Sequence, residues 1–368
     1  MAFVHDYLTQ FGGAERVLLE MQRMYPQAPV YTSIYDAAAF EGSFSGIDVR
    51  TSYLQNIPGA TRNFRALLPF YPRAFESLDL RGYDLVISST TSFAKGVRVA
   101  PGTLHVAYVH TPTRFLWYPN EYVTELTPPL AIPVLALVAP WLRRWDLAAA
   151  QRPHYLVANS RNIAQRIAQT YGRQSDVVAC PADVASLSRE QPVGDYFLVM
   201  SRLLPYKRVA LAIEACNLLG ARLIVAGTGP DARRLRAIAG STVEFAGHVD
   251  EQKRRELIAG ARALIVPGTE DFGLVPLEAA AAGRPSVAFA TGGALETIVE
   301  GETGLFFREP RAHALAETLQ AVEQARFDRE RMQAHARRFA PEVFRSTFLA
   351  LIERYLHEFR SRGLQMSS

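Results

Sequence analysis

The sequence predicts an α/β chain built from two doubly wound parallel-sheet domains. Three observations carry that expectation. Short apolar runs alternate with amphipathic segments along all 368 residues. The runs are apolar almost throughout rather than at every second position, as parallel strands covered by helices on both faces are. The alternation restarts near Gly194, after the polar, proline-bearing stretch Ser186–Val193. At about 150 residues per domain the length independently suggests two domains.

In the first domain, residues 1–190, strands are expected at Ala2–His5, Val30–Ile34, Leu85–Ser88, His105–His110, Tyr155–Asn159 and Val177–Cys180. In the second, residues 194–340, they are expected at Phe197–Ser201, Arg222–Ala226, Val243–Ala246, Ala263–Pro267, Ser286–Ala290 and Gly304–Phe307. Several of these runs end in Gly, Ser, Pro or Asn, the residues of strand-to-helix turns. Ala14–Tyr25, Val209–Leu219 and Glu251–Ala259 carry apolar residues at helical spacing. Pro341–Phe359 reads as one long helix, with Phe344, Phe348, Leu351, Ile352, Tyr355 and Phe359 on one stripe. Ligands of such sheets bind beyond the carboxyl ends of the strands, so two domains facing each other would leave a crevice for them.

Composition narrows the function. Basic and acidic residues number 40 and 36, a net +4 shared evenly by the halves on either side of Glu190. That balance gives no support to a nucleic-acid-coating role. The 49% hydrophobic and 21% charged content is that of a globular chain. Two cysteines, Cys180 and Cys216, exclude a disulfide scaffold and a four-thiolate zinc site, and fit a reducing compartment. The first residues show neither the basic nor the apolar region of a signal peptide. The longest uncharged stretch, Leu126–Leu142, holds Pro128, Pro129, Pro133 and Pro140 and is expected not to span a membrane. No Asp-x-Asp pair is present, so the usual metal–diphosphate clamp is not expected. The motifs of acyl hydrolases, zinc proteases and P-loop nucleotidases are absent too.

Chemistry is expected at the ends of particular strands. The run Pro267-Gly-Thr-Glu-Asp-Phe-Gly-Leu-Val-Pro-Leu-Glu278 takes a buried strand into a loop with Glu270 and then into a helix opening near Gly273. Glu278 falls in the second turn of that helix. Free amides at its start suit an anion or sugar hydroxyls, although Glu270 and Asp271 could equally serve as caps. Ser201-Arg202-Leu-Leu-Pro-Tyr-Lys207-Arg208 gathers three cations before a helix. Lys207 is informative because only Lys95, Lys207 and Lys253 among the 40 basic residues are lysine, and a compact ammonium suits a phosphate. The alternative is a solvated helix start. Gly227-Thr-Gly-Pro-Asp-Ala232 formally matches a dinucleotide motif, with Glu244 and Asp250 downstream. Its place in the second βα unit, with Pro230 read as the first helical residue, argues against NAD. Gly12-Gly13 follow the first strand, either as a ligand approach or as a tight turn. His110 ends a strand, and His5 has a similar position; either could be a purely structural histidine.

Together these residues resemble the retaining glycosyltransferases of family 4, which have the GT-B fold. The resemblance is carried by Gly12-Gly13-Ala-Glu-Arg, His110-Thr-Pro, Ser201-Arg202 with Lys207, Gly227-Thr-Gly-Pro, Gly247-His-Val, the Glu270 and Glu278 pair, Ala282-Gly-Arg-Pro285 and Gly292-Gly293-Ala-Leu-Glu296. His5-Asp-Tyr-Leu, Tyr83-Asp-Leu-Val-Ile-Ser, His110-Thr-Pro-Thr-Arg-Phe-Leu-Trp and Pro205-Tyr-Lys-Arg are similar to a bacterial O-antigen mannosyltransferase branch. One departure is Cys180-Pro-Ala-Asp183, where relatives usually carry Pro-Pro-Val-Asp.

The resemblance implies a metal-independent transferase using a nucleotide sugar, with GDP-mannose the first expectation and a UDP-sugar the second. Arg202 and Lys207 would hold the diphosphate and stabilise the leaving group. The backbone of Gly12 and Gly13 would approach the donor phosphate or the acceptor, and Gly229 the donor. Glu278 would accept the ribose hydroxyls, and backbone near His248 and Val249 would meet the base. Glu270 and the amides of Phe272, Gly273, Leu274 and Val275 would position the hexose, and His110 would touch it during transfer. The C-terminal helix, residues 341–368, would pack back on the first domain. The acceptor would be a glycan or a polyprenyl-linked saccharide, met in the cytoplasm or on the inner face of the membrane. Thr61–Arg73 and Leu130–Trp145 mix aromatic, apolar and basic residues and could form a membrane contact or simply core. A UDP-sugar 2-epimerase and a non-catalytic nucleotide-sugar-binding protein are the competing classes.

Overall fold

The computed structural model describes all residues except 41, 120–130, 189–190 and 366–368. The described chain forms two compact units. One comprises the residues up to Ala179 together with the chain from Phe344 onward, and the other runs from Cys180 to Val343.

The sheet of the first unit contains β1 (Ala2–His5), β2 (Val30–Thr32), β3 (Val49–Thr51), β4 (Leu85–Thr90), β5 (Leu104–Val109), β6 (Tyr155–Ala158) and β7 (Asp176–Val177). Their order is β3-β2-β1-β4-β5-β6-β7, and every pairing is parallel. β3 escaped the sequence reading because it is a short, largely exposed edge strand centred on Arg50, without an apolar run. β4 and β5 are buried at every position, as parallel strands under two helical layers must be. Yet β4 ends in Ser88-Ser89-Thr90, three hydroxyl residues wholly out of solvent.

The sheet of the second unit contains β8 (Tyr196–Met200), β9 (Arg222–Ala226), β10 (Val243–Gly247), β11 (Ala263–Val266), β12 (Ser286–Phe289) and β13 (Gly304–Phe307), ordered β10-β9-β8-β11-β12-β13. Both sheets reverse strand order beside their first strand. The switch points therefore lie between β1 and β4 and between β8 and β11, where open α/β sheets bind ligands.

The second unit begins at Cys180, upstream of the expected join in Ser186–Val193. The reason is local bonding. The Ala182 amide donates to the Phe339 carbonyl at 2.8 Å, and Arg329 and Gln333 both donate to the Ser188 carbonyl at 3.0 Å. Arg284 reaches the Gln191 carbonyl at 2.5 Å. A polar stretch that looks like a linker is thus sewn onto the second unit.

The C-terminal helix runs Pro341–Gln365. Phe344, Phe348, Ile352 and Tyr355 are buried, and Tyr355 stacks on Tyr155 of β6 at 3.8 Å between ring centres. Tyr108 of β5 meets Phe344 and Phe348 edge-on. In the Thr61–Arg73 segment Phe64 and Tyr71 are core residues, while Phe70 is exposed.

The helix Ala131–Ala150 continues through Pro140, which the sequence reading took as a break. Pro140 and Ala136 both lie on the exposed face, so the carbonyl freed by the missing N–H can be hydrated. Part of the uncharged stretch Leu126–Leu142 lies outside the described residues. Among those described, no helix is long and apolar enough to cross a membrane. Both cysteines are buried and outside any disulfide, and burial pushes the Cys216 thiol up to about 12.

Candidate active site

In the second unit, β8 delivers Ser201 and Arg202 to the switch point, and a short turn, Pro205–Lys207, follows. Lys207 Nζ donates to both carboxylate oxygens of Glu270, each at 2.6 Å. Both side chains are largely withdrawn from solvent, so the pair interacts more strongly than a surface ion pair would. It sits at a small cavity lined by Ser201, Lys207, Gly268, Glu270, Gly273 and Leu274. Arg202 is exposed at the same strand end. The next residue after Lys207 is under strain: Arg208 is the one non-glycine residue with positive φ among those described, at 52°. Its guanidinium lies 5.2 Å from the ring centre of Phe289.

The loop carrying Glu270 is held by backbone. Glu270 forms a parallel bridge with Gly292, and the Gly293 amide donates to the Glu270 carbonyl at 2.8 Å. A Cβ on Gly293 would collide with the backbone of Phe272 and Asp271. The glycine pair is therefore a clamp for the Glu270 loop. Phe272 is buried against Phe339, leaving its backbone rather than its ring for a ligand. Gly273, at φ 97°, turns the chain into the helix Leu274–Ala281, which includes Val275.

Glu278 lies in that helix and is 1% exposed. Its carboxylate accepts a hydrogen bond from Arg254 of the helix Glu251–Gly260. Arg254 was missed in the sequence, since nothing in the spacing of the two helices says that they touch. His248 and Val249 follow β10 in the turn before that helix, with His248 exposed.

Gly229 has a packing reason for being glycine. A Cβ there would collide with the Leu203 backbone, and one on Gly227 with that of Ser201. The two loops lie against each other, with the Leu203 amide donating to the Thr228 carbonyl at 2.9 Å. Pro230 is not the first helical residue; the helix runs Ala232–Ile238, and Asp231, at the position before it, binds Arg234 rather than a helix amide.

In the first unit, the switch point is organised by Asp6, just past β1. Its carboxylate accepts from the amides of Thr91, Ser92, Phe93 and Ala94 at 2.5–3.0 Å. His110 follows β5, and its Nε2 lies 2.8 Å from Ser89 Oγ. Ser89 Oγ lies 3.2 Å from His5 Nδ1, and His5 Nε2 lies 3.4 Å from Glu15 Oε1. Gly12 gives room for that carboxylate, because a Cβ there would meet Glu15 Oε2 at 3.1 Å. Gly13 is the first residue of the helix Gly13–Met24. The turn after His110 is tied down by Thr113, whose hydroxyl donates to Asp146 at 2.7 Å. Asp146 also takes Lys95 Nζ at 2.5 Å and the Tyr171 hydroxyl at 2.9 Å in the interior, and the half-buried Trp117 Nε1 at 2.7 Å. Lys95 is thus a structural lysine, unlike the part-exposed Lys207.

Lys207, Glu270 and Gly273 come together at the second switch point, with Arg202 at the end of the same strand β8, and His110 takes its place at the first. Among the described residues, no three of His, Cys, Asp and Glu are grouped as metal ligands.

Two family models match the chain in succession: Glycosyltransferase Family 4 over residues 11–186 and Glycosyl transferases group 1 over residues 188–339. The chain belongs to the family 4 type of glycosyltransferases. Glycogen synthase of Pseudomonas aeruginosa is 35% identical over 134 residues, 33% of this chain and 25% of that one. D-inositol 3-phosphate glycosyltransferase of Acidothermus cellulolyticus is 31% identical over 194 residues, 43% of this chain and 42% of that one. The chain thus spans about a quarter of the length of the glycogen synthases it matches. Among solved structures, sucrose-phosphate synthase from Thermosynechococcus elongatus superposes with a TM-score of 0.76 at 18% identity, covering 97% of this chain and all of that one. Anabaena HepE in complex with UDP-glucose gives 0.69 at 19% identity, covering 96% and 99%. These likenesses, with the two switch-point sheets, establish the GT-B fold.

Two tests follow from the packing of this chain. Burial pushes the imidazoles of His105 and His110 down to about 3, helped by His154 for the first and His5 for the second. Both values lie below that of an unfolded histidine, about 6.5, so the unfolded chain takes up protons that the folded chain refuses. Their contribution is intact above pH 6.5 and falls as the pH drops toward 3, at about 1.4 kcal/mol per pH unit per histidine. Urea unfolding at pH 7 and pH 5 should show the loss, and His105→Asn should remove about one proton's share of it; an unchanged pH slope would contradict the assignment. Separately, Gly293→Ala should cost about 1–3 kcal/mol, because the methyl group meets rigid backbone. An unfolding midpoint equal to wild type would show that the clamp yields freely.

Proposed function

We propose that this protein transfers a hexosyl group, with retention and without a metal, from a nucleoside diphosphate sugar to a hydroxyl of a glycan or lipid-linked saccharide. The observation that carries this reading is the Lys207–Glu270 pair, bonded at 2.6 Å in a cavity at a switch point beside the exposed Arg202. A cation for a diphosphate and a carboxylate for sugar hydroxyls are the two chemistries that a nucleotide sugar needs side by side.

In this reading Arg202 and Lys207 neutralise the diphosphate as the bond from the sugar's anomeric carbon to the leaving oxygen breaks. Lys207 exchanges a Glu270 oxygen for a phosphate oxygen, and Glu270 turns to the hexose hydroxyls. Amides at Gly273–Val275 add donors there. Glu278 accepts the ribose hydroxyls, with Arg254 holding its carboxylate in place. His110 is the first unit's contact with the transferred sugar. The acceptor oxygen bonds to the anomeric carbon from the face the diphosphate leaves, and its proton passes to a phosphate oxygen, so no enzyme nucleophile is needed, in contrast to retaining glycosidases.

For the donor, the UDP-glucose bound by HepE favours a UDP-hexose over the GDP-mannose expected from the sequence. The mannosyltransferase-like Pro205-Tyr-Lys-Arg and His110-Thr-Pro-Thr-Arg runs keep GDP-mannose as the second reading. Turnover of UDP-glucose, UDP-galactose, UDP-N-acetylglucosamine, GDP-mannose and GDP-fucose with chelator present decides. One donor should release its nucleotide, and Lys207→Ala should slow that release by about 100-fold or more. Glu278→Gln should weaken nucleotide binding, whereas His110→Ala should affect turnover more than binding. Metal-dependent release, or release indifferent to Lys207, would overturn the reading.

The acceptor side supports peripheral contact with a membrane. The helix Ala131–Ala150 exposes Leu137 (83%), Trp141 (48%) and Leu147 (38%) with Pro140 and Arg144 on one face, while Leu142 and Asp146 are buried. Arg143 is committed elsewhere, donating to the Leu116 carbonyl at 2.9 Å. An apolar face with a cation is the pattern of a helix lying on an anionic bilayer. Leu137→Glu with Trp141→Glu should abolish sedimentation with anionic vesicles; sedimentation equal to wild type would remove this helix from consideration.

A further inference from the structure

Four side chains of the first unit form an unbroken line, Glu15, His5, Ser89 and His110, of which the proposed chemistry uses only His110. All four are at least nine-tenths buried, at 5%, 2%, 0% and 6% exposure. Three different strands and a helix supply them: His5 ends β1, Ser89 lies in β4, His110 follows β5, and Glu15 is in the first turn of the helix Gly13–Met24. A buried chain of this kind has a direction, because each member has a fixed number of donors and acceptors.

The direction can be worked out from the carboxylate. An ionised carboxylate at Glu15 only accepts. His5 Nε2 must therefore carry a proton and donate to Glu15 Oε1, 3.4 Å away. A neutral His5 then has a bare Nδ1, which accepts from the hydroxyl of Ser89 at 3.2 Å. With its one proton committed, Ser89 Oγ must accept from His110 Nε2 at 2.8 Å. The proton of a neutral His110 is thus on Nε2, and Nδ1 keeps its lone pair. A backbone bond also fixes the ring's base, since Asn159 Nδ2 donates to the His110 carbonyl at 3.1 Å.

We propose that Glu15, His5 and Ser89 act as positioning residues that hold His110 in its Nε2–H tautomer, so that Nδ1 stands ready to accept a hydrogen bond from a hydroxyl of the transferred sugar. The sugar contact rests on the function proposed above; the tautomer does not. Glu15 is the element that decides, because an amide in its place can donate as well as accept. Glu15→Gln permits the whole line to reverse: His5 Nε2 accepts from the amide, His5 Nδ1 donates to Ser89, Ser89 donates to His110 Nε2, and the His110 proton moves to Nδ1. The ligand would then face a donor in place of an acceptor.

The test separates tautomer from function. Nitrogen-15 spectra of the histidine rings, assigned with His110→Asn, should show His110 as Nε2–H in the wild-type protein. Glu15→Gln and Ser89→Ala should each raise the Nδ1–H form. In the same variants kcat should fall about tenfold, the worth of one hydrogen bond, with the affinity for the free nucleotide unchanged. Glu15→Asp, which stays a pure acceptor, should restore part of the loss. A wild-type His110 in the Nδ1–H form overturns the proposal without recourse to any variant, as does a tautomer indifferent to both substitutions. A tautomer that shifts as expected while kcat stays at the wild-type value upholds the relay and refutes the contact of His110 with the sugar.

Discussion

Parallel sheets end in a problem of unpaired polar groups, and its solution organises this molecule. Where strand order reverses, the chain leaves neighbouring strands in opposite directions and exposes amides and carbonyls that no strand pairs. In the first unit a side chain meets the need. Asp6 takes four consecutive amides, from Thr91 to Ala94, and so fixes the turn after β4. In the second unit backbone meets it directly. Gly227, Gly229, Gly292 and Gly293 let loops approach so closely that carbonyls and amides pair across them, and Gly268 leaves room for the backbone of Tyr206 and Lys207.

The two solutions have different consequences. Closure by side chains leaves polar residues in the interior, which must then satisfy one another. Ser89, His5 and Glu15 form one such group beside His110, and Lys95, Thr113 and Asp146 form another. Closure by glycine leaves the functional side chains free to point elsewhere. Lys207 and Glu270 stand on loops already fixed through their backbones, so their side chains remain available to exchange one partner for another. The strain at Arg208, φ 52°, is confined to the position after Lys207 and is set against the packing of the helix Val209–Leu219 into the core.

Burial also sets charge. The interior position of His110 keeps its imidazole neutral over the working range of pH. A neutral ring can present either a proton or a lone pair, and which one depends on the groups behind it.

Much of this was legible in one dimension. Apolar runs of four to six residues separated by amphipathic segments could only be covered parallel strands, and β1, β9 and β13 agree with their expected bounds residue for residue. The Glu270 and Glu278 spacing and the lysine at 207 among arginines singled out the strand-end loops in which the structure pairs Lys207 with Glu270. What the sequence could not hold were contacts between elements distant along the chain: Arg254 with Glu278, Asp6 with the turn after β4, and Gly293 with Phe272. Periodicity reports which face of an element is buried, not which element covers it. The hydroxyl run Ser88-Ser89-Thr90 was visible, but its meaning depended on His5 and His110 arriving from other strands. Local physics thus determined the elements and the chemical types at their ends, while tertiary packing alone decided which of those groups face one another and in which protonation state they are held.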